Sequence, residues 1–246
     1  MVSFKERFSF LKDGVDFPFY NDVPKLAIYE WLLLLAAVVL MVLMITVIPL
    51  SEHIFPVAVC LVMLIPALYV CKGDYGLFFK KPTLRDFLTI ILCLFGYYAY
   101  VVLIAGLLKS IGYNLAANSV LTSFQTPSIY LIISTLMQLV GEEFFKIFML
   151  LIIMYVIYRF TKNRLLSIWI GVIGSLFVFG IVHSSAYSGN ILQILLIQGL
   201  GSIFDLYVYL KTKNVVNSYI LHVFIDYIPF TMVMVASAMN YQIPGM

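Results

Sequence analysis

Residues 129–158 read IYLIISTLMQLVGEEFFKIFMLLIIMYVIY, an apolar run with Glu142, Glu143 and Lys146 in its middle. A run of this kind is long enough to cross a membrane, which takes about 20 apolar residues. Its charges are expensive there: one charged side chain at the centre of a bilayer helix costs about 2.5–3.5 kcal/mol on insertion scales. Residues kept at that cost are candidates for function. The rest of the chain is of the same character. Of its 246 residues 63% are hydrophobic and only 11% charged, against about 25% charged in a soluble domain, and the mean hydropathy is +1.04. The fold class is therefore all-α, a polytopic transmembrane helical bundle in the lipid bilayer.

Outward from this stretch, further apolar runs lie at 26–49, 54–71, 87–108, 165–183, 190–210 and 215–238. With 129–158 they give seven spans, or eight if that long run divides into two membrane segments. Thirteen of the fifteen basic residues fall on one side of the seven-span arrangement. They are Lys5, Arg7, Lys12 and Lys25; Lys72, Lys80, Lys81 and Arg85; Arg159, Lys162 and Arg164; and Lys211 and Lys213. The positive-inside rule makes that side cytoplasmic, with the N-terminus in the cytoplasm; the membrane is taken to be a plasma membrane. This distribution reads as topology and not as nucleic-acid binding. Residues 1–25 read as a cytosolic or interfacial segment, 26–128 as N-terminal transmembrane helices, 129–238 as the core and 239–246 as a short extracytoplasmic tail. Cys60, Cys71 and Cys93 lie in or beside apolar runs without a CxxC spacing and read as core residues.

The candidate chemistry sits in three runs. Glu142 and Glu143 are neighbours, pointing about 100° apart on a helix, so they cannot do one job. Lys146 follows Glu142 by four residues, and a self-neutralising Glu142–Lys146 pair is the plain alternative to function. Phe179 and His183 are spaced i, i+4, as are His222 and Asp226, so each pair shares a helix face. His183 alone reads as an interfacial histidine; the His222–Asp226 pair alone reads as a packing contact. Two histidines with carboxylates can also bind zinc with one position open, although no HExxH helix is present.

In combination, Glu142-Glu143, then Phe179-x-x-x-His183, then His222-x-x-x-Asp226 resembles the CAAX protease and bacteriocin-processing (Abi) family of intramembrane proteases, whose motifs are EExxxR, FxxxH and HxxxN or HxxxD. The basic stretch 77–85 and the run 199–214, with its Thr212-Lys213-Asn214 turn, are similar to that family too, so the resemblance covers about 77–230. Ile147 stands at the family's arginine position.

The resemblance implies a glutamate-dependent endopeptidase acting on a membrane-bound peptide or protein, in bacteriocin, signalling-peptide or CAAX-type processing. Glu142 would activate water, His183 would orient it, and His222 with Asp226 would face the scissile carbonyl. Glu143, Lys146 and Phe179 would support them. An ionised Asp226 only accepts hydrogen bonds, so it must either be protonated or orient His222. Metal is taken as absent or optional; a zinc ion would use His183, His222 and Glu142. A non-catalytic regulator, scaffold or immunity protein is the alternative reading, and a transporter a third, though the paired broken helices that a transporter predicts are not evident. The simple topology also carries a tension. His183 ends a span on the outer side and His222 begins one near the inner side, which sets them about 10 Å or more apart in depth.

Overall fold

The computed structural model describes Phe10 and residues 15–239. Lys5, Arg7 and Lys12, and the tail from 240 on, lie outside them. Among the described residues the chain is all-helical. Its helices are α1 (Ile28–Thr46), α2 (Phe55–Val70), α3 (Leu84–Ser110), the short α4 (Ser119–Ser123), α5 (Ile129–Thr161), α6 (Arg164–Val182), α7 (Ile191–Thr212) and α8 (Val215–Ala238). Each of the seven apolar runs forms a helix close to its expected limits. Five of them, α1, α3, α6, α7 and α8, are long and apolar enough to cross a membrane. α2 has 16 residues. α5 is one continuous helix of 33 residues, so the alternative in which run 129–158 divides in two does not occur.

α5 is the axis of the bundle, with α1, α2, α6 and α8 packed against it. Phe144, Phe145, Ile147, Phe148, Leu150, Leu151 and Met154 are fully buried there. Ile147, at the position where the family carries arginine, is one of these core residues. The three cysteines are buried and free.

Two tight turns of the same composition set the register. Lys162-Asn163 joins α5 to α6, and Lys213-Asn214 joins α7 to α8. In each, the lysine ends one helix in the left-handed conformation, with φ of 52° at both Lys162 and Lys213. The asparagine then caps the next helix: Asn163 Oδ1 accepts from Leu166 N at 3.1 Å and Asn214 Oδ1 from Val216 N at 3.1 Å. The second turn is buried inside the molecule. Lys213 Nζ donates to the Phe10 carbonyl at 2.5 Å and lies 4.1 Å from the centre of the Phe17 ring. Asn214 pairs with the Lys80 backbone in both directions, at 3.0 and 2.9 Å, and Val215 N donates to Phe78 O at 2.8 Å. The basic stretch 77–85 thus clamps the start of α8.

The N-terminal segment covers this turn and is tied down by Asp16, whose carboxylate accepts from Arg164 Nε at 2.9 Å and from the Tyr20 hydroxyl at 2.7 Å. Burial pushes the Asp16 carboxyl up, but the Arg164 and Tyr20 hydrogen bonds outweigh it and hold the group below its ordinary 3.8. A depressed carboxyl stabilises the folded form above its unfolded value, and that contribution is lost as pH falls through the folded value. Pepsin cleavage of the segment should therefore accelerate below about pH 4 in the parent and show no such step in Asp16→Asn.

Close helix approaches depend on glycine. A Cβ at Gly141 would lie 2.6 Å from the Val59 carbonyl oxygen, so α2 meets α5 backbone to backbone one residue before Glu142. Gly141→Ala should lower the thermal midpoint in detergent, at a cost of about 1–3 kcal/mol. Gly106→Ala, with nothing within 4 Å of the added Cβ, should leave the midpoint unchanged or raise it through helix propensity.

Candidate active site

The two hairpins bring the motif residues level. Glu142 is twenty residues before Lys162, and His183 twenty after Asn163. In an antiparallel helix pair joined by a short turn, equal counts from the turn reach equal heights. Asp205 is eight before Lys213 and His222 eight after Asn214, so these are level too. The expected depth gap between His183 and His222 is closed. His183 Nε2 lies 3.7 Å and His222 Nε2 3.8 Å from the same Glu142 oxygen, Oε2. The physical reason is the buried Lys213-Asn214 turn, which starts α8 inside the molecule and not at its surface.

Each imidazole has its tautomer set by what its Nδ1 touches. His183 caps α6, and its Nδ1 lies 2.7 Å from the Phe179 carbonyl oxygen. A carbonyl only accepts, so Nδ1 carries a proton. His222 Nδ1 donates to Glu143 Oε1 at 2.8 Å. Both Nε2 atoms face Glu142, whose other oxygen, Oε1, accepts from Gln138 Nε2 at 2.7 Å. Phe179 packs against both imidazoles, at 4.5 Å from the His183 ring and 6.3 Å from that of His222.

Behind this set lies a buried ion cluster. Lys146 is fully buried and pairs with Glu143 at 2.5 Å and with Asp205. It also sits 4.7 Å above the Phe179 ring. The Glu142–Lys146 pair considered from spacing alone is replaced by Glu143–Lys146, at i, i+3. That leaves Glu142 turned toward the histidines. The group that orients His222 is Glu143, and not Asp226. The Asp226 carboxylate is 3.8 Å from His222 Nε2, on the open side, and a third of its side chain is exposed.

Asp205 was not singled out from the sequence. It sits just after the irregular part of α7, a π-helical segment at Ile194–Gly199 and a 3-10 turn at Leu200–Ser202. This segment lies against α6 where Gly180 and Gly199 meet: a Cβ on Gly199 would come within 2.8 Å of Leu176 O. The counting rule from the Lys213-Asn214 turn would have marked Asp205 as the partner of His222.

Two cavities meet at Glu142. One, of about 210 Å³, is polar and is lined by Asn118, Gln138, Tyr187, Gln198, His222 and Asp226 together with Glu142 and His183. The other, of about 360 Å³, is mainly apolar, with Met41, Ile45, Phe55, Val59, Leu131 and Val182 beside Gln138, Glu142 and His183. The polar residues after His183 divide. Gln198 lines the polar cavity and Ser185 the apolar one. Asn190 and Gln193 instead tie down residues 114–116 by side chain–backbone bonds of 2.7–2.9 Å.

A metal can be tested against the donors. Glu143, Asp205 and His222 lie within 4.8 Å of one another, but the Lys146 ammonium already bonds both carboxylates, which makes that cluster a poor cation site. Glu142 Oε2 and the two Nε2 atoms, each imidazole held from behind by a carbonyl or a carboxylate, fit a zinc ion with one position left open.

With this geometry in place, residues 124–228 match the family model described as type II CAAX prenyl endopeptidase, Rce1-like. Over these residues the chain is similar to Rce1-like CAAX endopeptidases. The match takes in α5 to most of α8, and with them every residue of the three motifs. Comparison with curated proteins and with solved structures returns no significant match. The matched model describes membrane endopeptidases, and the five long apolar helices fit a multi-pass membrane protein.

The ion cluster makes a definite prediction for the Rce1-like domain. Lys146→Met leaves two carboxylates in the core without their counter-ion and should cost about 3–5 kcal/mol, seen as loss of monodisperse protein in detergent. Lys146→Met combined with Asp205→Leu removes one of those carboxylates and should recover part of that loss.

Proposed function

We propose that the protein is an intramembrane endopeptidase that hydrolyses a peptide bond in a membrane-associated peptide or protein precursor, with Glu142 as general base. The observation that carries this reading is the convergence of two histidine Nε2 atoms on Glu142 Oε2, at 3.7 and 3.8 Å, at the junction of a polar and an apolar cavity. A water held there gives one hydrogen to Glu142 and turns an oxygen lone pair toward a substrate carbonyl. Glu142 takes one proton as the oxygen attacks, and the carbonyl π pair moves onto its oxygen. When the tetrahedral intermediate collapses, the C–N bond breaks and the nitrogen takes the proton back from Glu142. His183 orients the water and His222 with Asp226 faces the scissile carbonyl, while Glu143, Lys146 and Phe179 hold the histidines. A zinc ion held by Glu142, His183 and His222 would supply a Lewis acid beside that carbonyl; we take metal as optional.

The substrate passes from the apolar chamber, which suits hydrocarbon, across Glu142 into the polar cavity. CAAX-type precursors, bacteriocin precursors and signalling peptides all have this form. The N-terminus lies in the cytoplasm, on the strength of the basic loops, and the membrane we propose is a plasma membrane.

The test is cleavage of a quenched-fluorescent farnesylated CAAX-type peptide and a bacteriocin-type precursor peptide by purified protein in nanodiscs, with products identified by mass spectrometry. Glu142→Gln and His183→Ala should each reduce kcat by at least about 10²-fold. Parent-like cleavage by Glu142→Gln would overturn the reading. A chelator arm reports on metal. Asp226→Asn should keep measurable cleavage, because an amide fits beside His222 and can also donate; a complete loss would show that the carboxylate itself is needed.

A further inference from the structure

We propose that Glu52 is a specificity-determining residue whose carboxylate pairs with a lysine or arginine side chain about four to five residues from the cleaved bond of a peptide substrate. The inference rests on the endopeptidase reading and narrows the substrate to a peptide that is basic at that position. It starts from the charges around the apolar chamber. The chain has fifteen Lys and Arg residues. Among the described residues none of them lines the chamber, and none lines the polar cavity that joins it at Glu142. The chamber wall carries two carboxylates, Glu142 and Glu52. Glu142 is engaged by Gln138 and faced by both histidines. Glu52 is exposed, in the loop between α1 and α2, and no cation among the described residues pairs with it.

The fold sets the separation of the two carboxylates. Leu131, Ser134, Thr135, Gln138 and Glu142 all line the chamber. This spacing is one face of a helix, so the chamber runs along α5. From Leu131 to Glu142 that helix rises about 16 Å. Glu52 stands at the Leu131 end. The Tyr130 hydroxyl donates to the carbonyl of His53, the residue after Glu52, and the Tyr130 and His53 rings are 5.2 Å apart. An extended peptide advances about 3.3 Å per residue. A peptide whose reacting carbonyl lies at Glu142 therefore comes level with Glu52 after about four to five residues. Between the two carboxylates Met41, Ile45, Phe55 and Val59 present apolar side chains, so the basic residue is set off from the cleaved bond by apolar ones. An acidic residue at the same place would meet a carboxylate and no counter-ion, which adds a penalty against the wrong peptide to the gain from the right one.

The experiment uses the full-length protein in nanodiscs and whichever of the two peptides above the parent cleaves. That peptide is remade as a series in which a single lysine is stepped away from the cleaved bond, with glutamine and glutamate in the same places as references. In the parent, kcat/KM should peak with lysine about four to five residues from the bond, at least about fivefold above glutamine there. Glu52→Gln should erase that difference, with cleavage of the glutamine peptide and the thermal midpoint near the parent values. Glu52→Lys should reverse it and favour glutamate at that position. If the parent cleaves lysine and glutamine peptides within about twofold of each other at every position, beside an inactive Glu142→Gln, the proposal is overturned and the endopeptidase reading stands. A lysine preference at that position that survives Glu52→Gln also overturns it. So does a lowered thermal midpoint in Glu52→Gln with the preference unchanged, which assigns the carboxylate to the N-terminal end of α2. A parent that cleaves neither peptide overturns the endopeptidase reading, and this proposal with it.

Discussion

The ammonium of Lys146 is the point on which the site depends. It is fully buried, and its partners Glu143 and Asp205 come from different helices, α5 and α7. In a low-dielectric bundle an unpaired carboxylate is costly and a paired one is held hard. Because Glu143 is fixed by Lys146, it can fix His222 through Nδ1, and His222 then turns its Nε2 to Glu142. The family motif calls for an arginine one residue later, where this chain has buried Ile147 in the core. A lysine has a single cationic centre and not a planar fork. The chain meets the difference with a second carboxylate, Asp205, on the far side of the ammonium. The site is therefore intact in form despite the departure from the motif.

Helix register carries the geometry from the turns to the site. Both Lys–Asn connections do the same two things: the lysine terminates one helix in a left-handed conformation, and the asparagine caps the next. Each hairpin then sets a carboxylate against a histidine at equal height, Glu142 against His183 and Asp205 against His222. The hairpins meet where Gly180 and Gly199 let α6 and the π segment of α7 touch. A π segment inside a helix shifts every later residue around the axis, and Asp205 is one of the first residues it affects.

The first-run helices and the N-terminal segment, outside the matched domain, do work for it. The Phe78–Lys80 backbone holds the start of α8, and Phe10 and Phe17 cover the Lys213 side chain. α1 and α2 supply Met41, Ile45, Phe55, Pro56 and Val59 to the apolar chamber beside Glu142, facing residues of α5 and the end of α6.

Much was legible beforehand. The helices follow from apolar runs because lipid leaves the backbone no partners but its own. Glu142, His183, His222 and Asp226 stood out because charge in such runs is costly. Pairing was not legible. Spacing gave Lys146 to Glu142, since i, i+4 residues share a face; the structure gives it to Glu143, since Asp205 draws the ammonium from the other side. Spacing also made Asp226 a candidate to orient His222, whereas Glu143, on another helix, holds it. Depth was misjudged because a turn rich in polar atoms reads as surface, and Lys213-Asn214 is buried once backbone groups and an aromatic ring satisfy it. By itself the sequence determined which segments enter the membrane and which side chains are too costly to be idle there. Which of those side chains face one another was decided only by tertiary structure, because contacts between helices depend on where each helix starts and how it is rotated, and neither quantity is written in one helix alone.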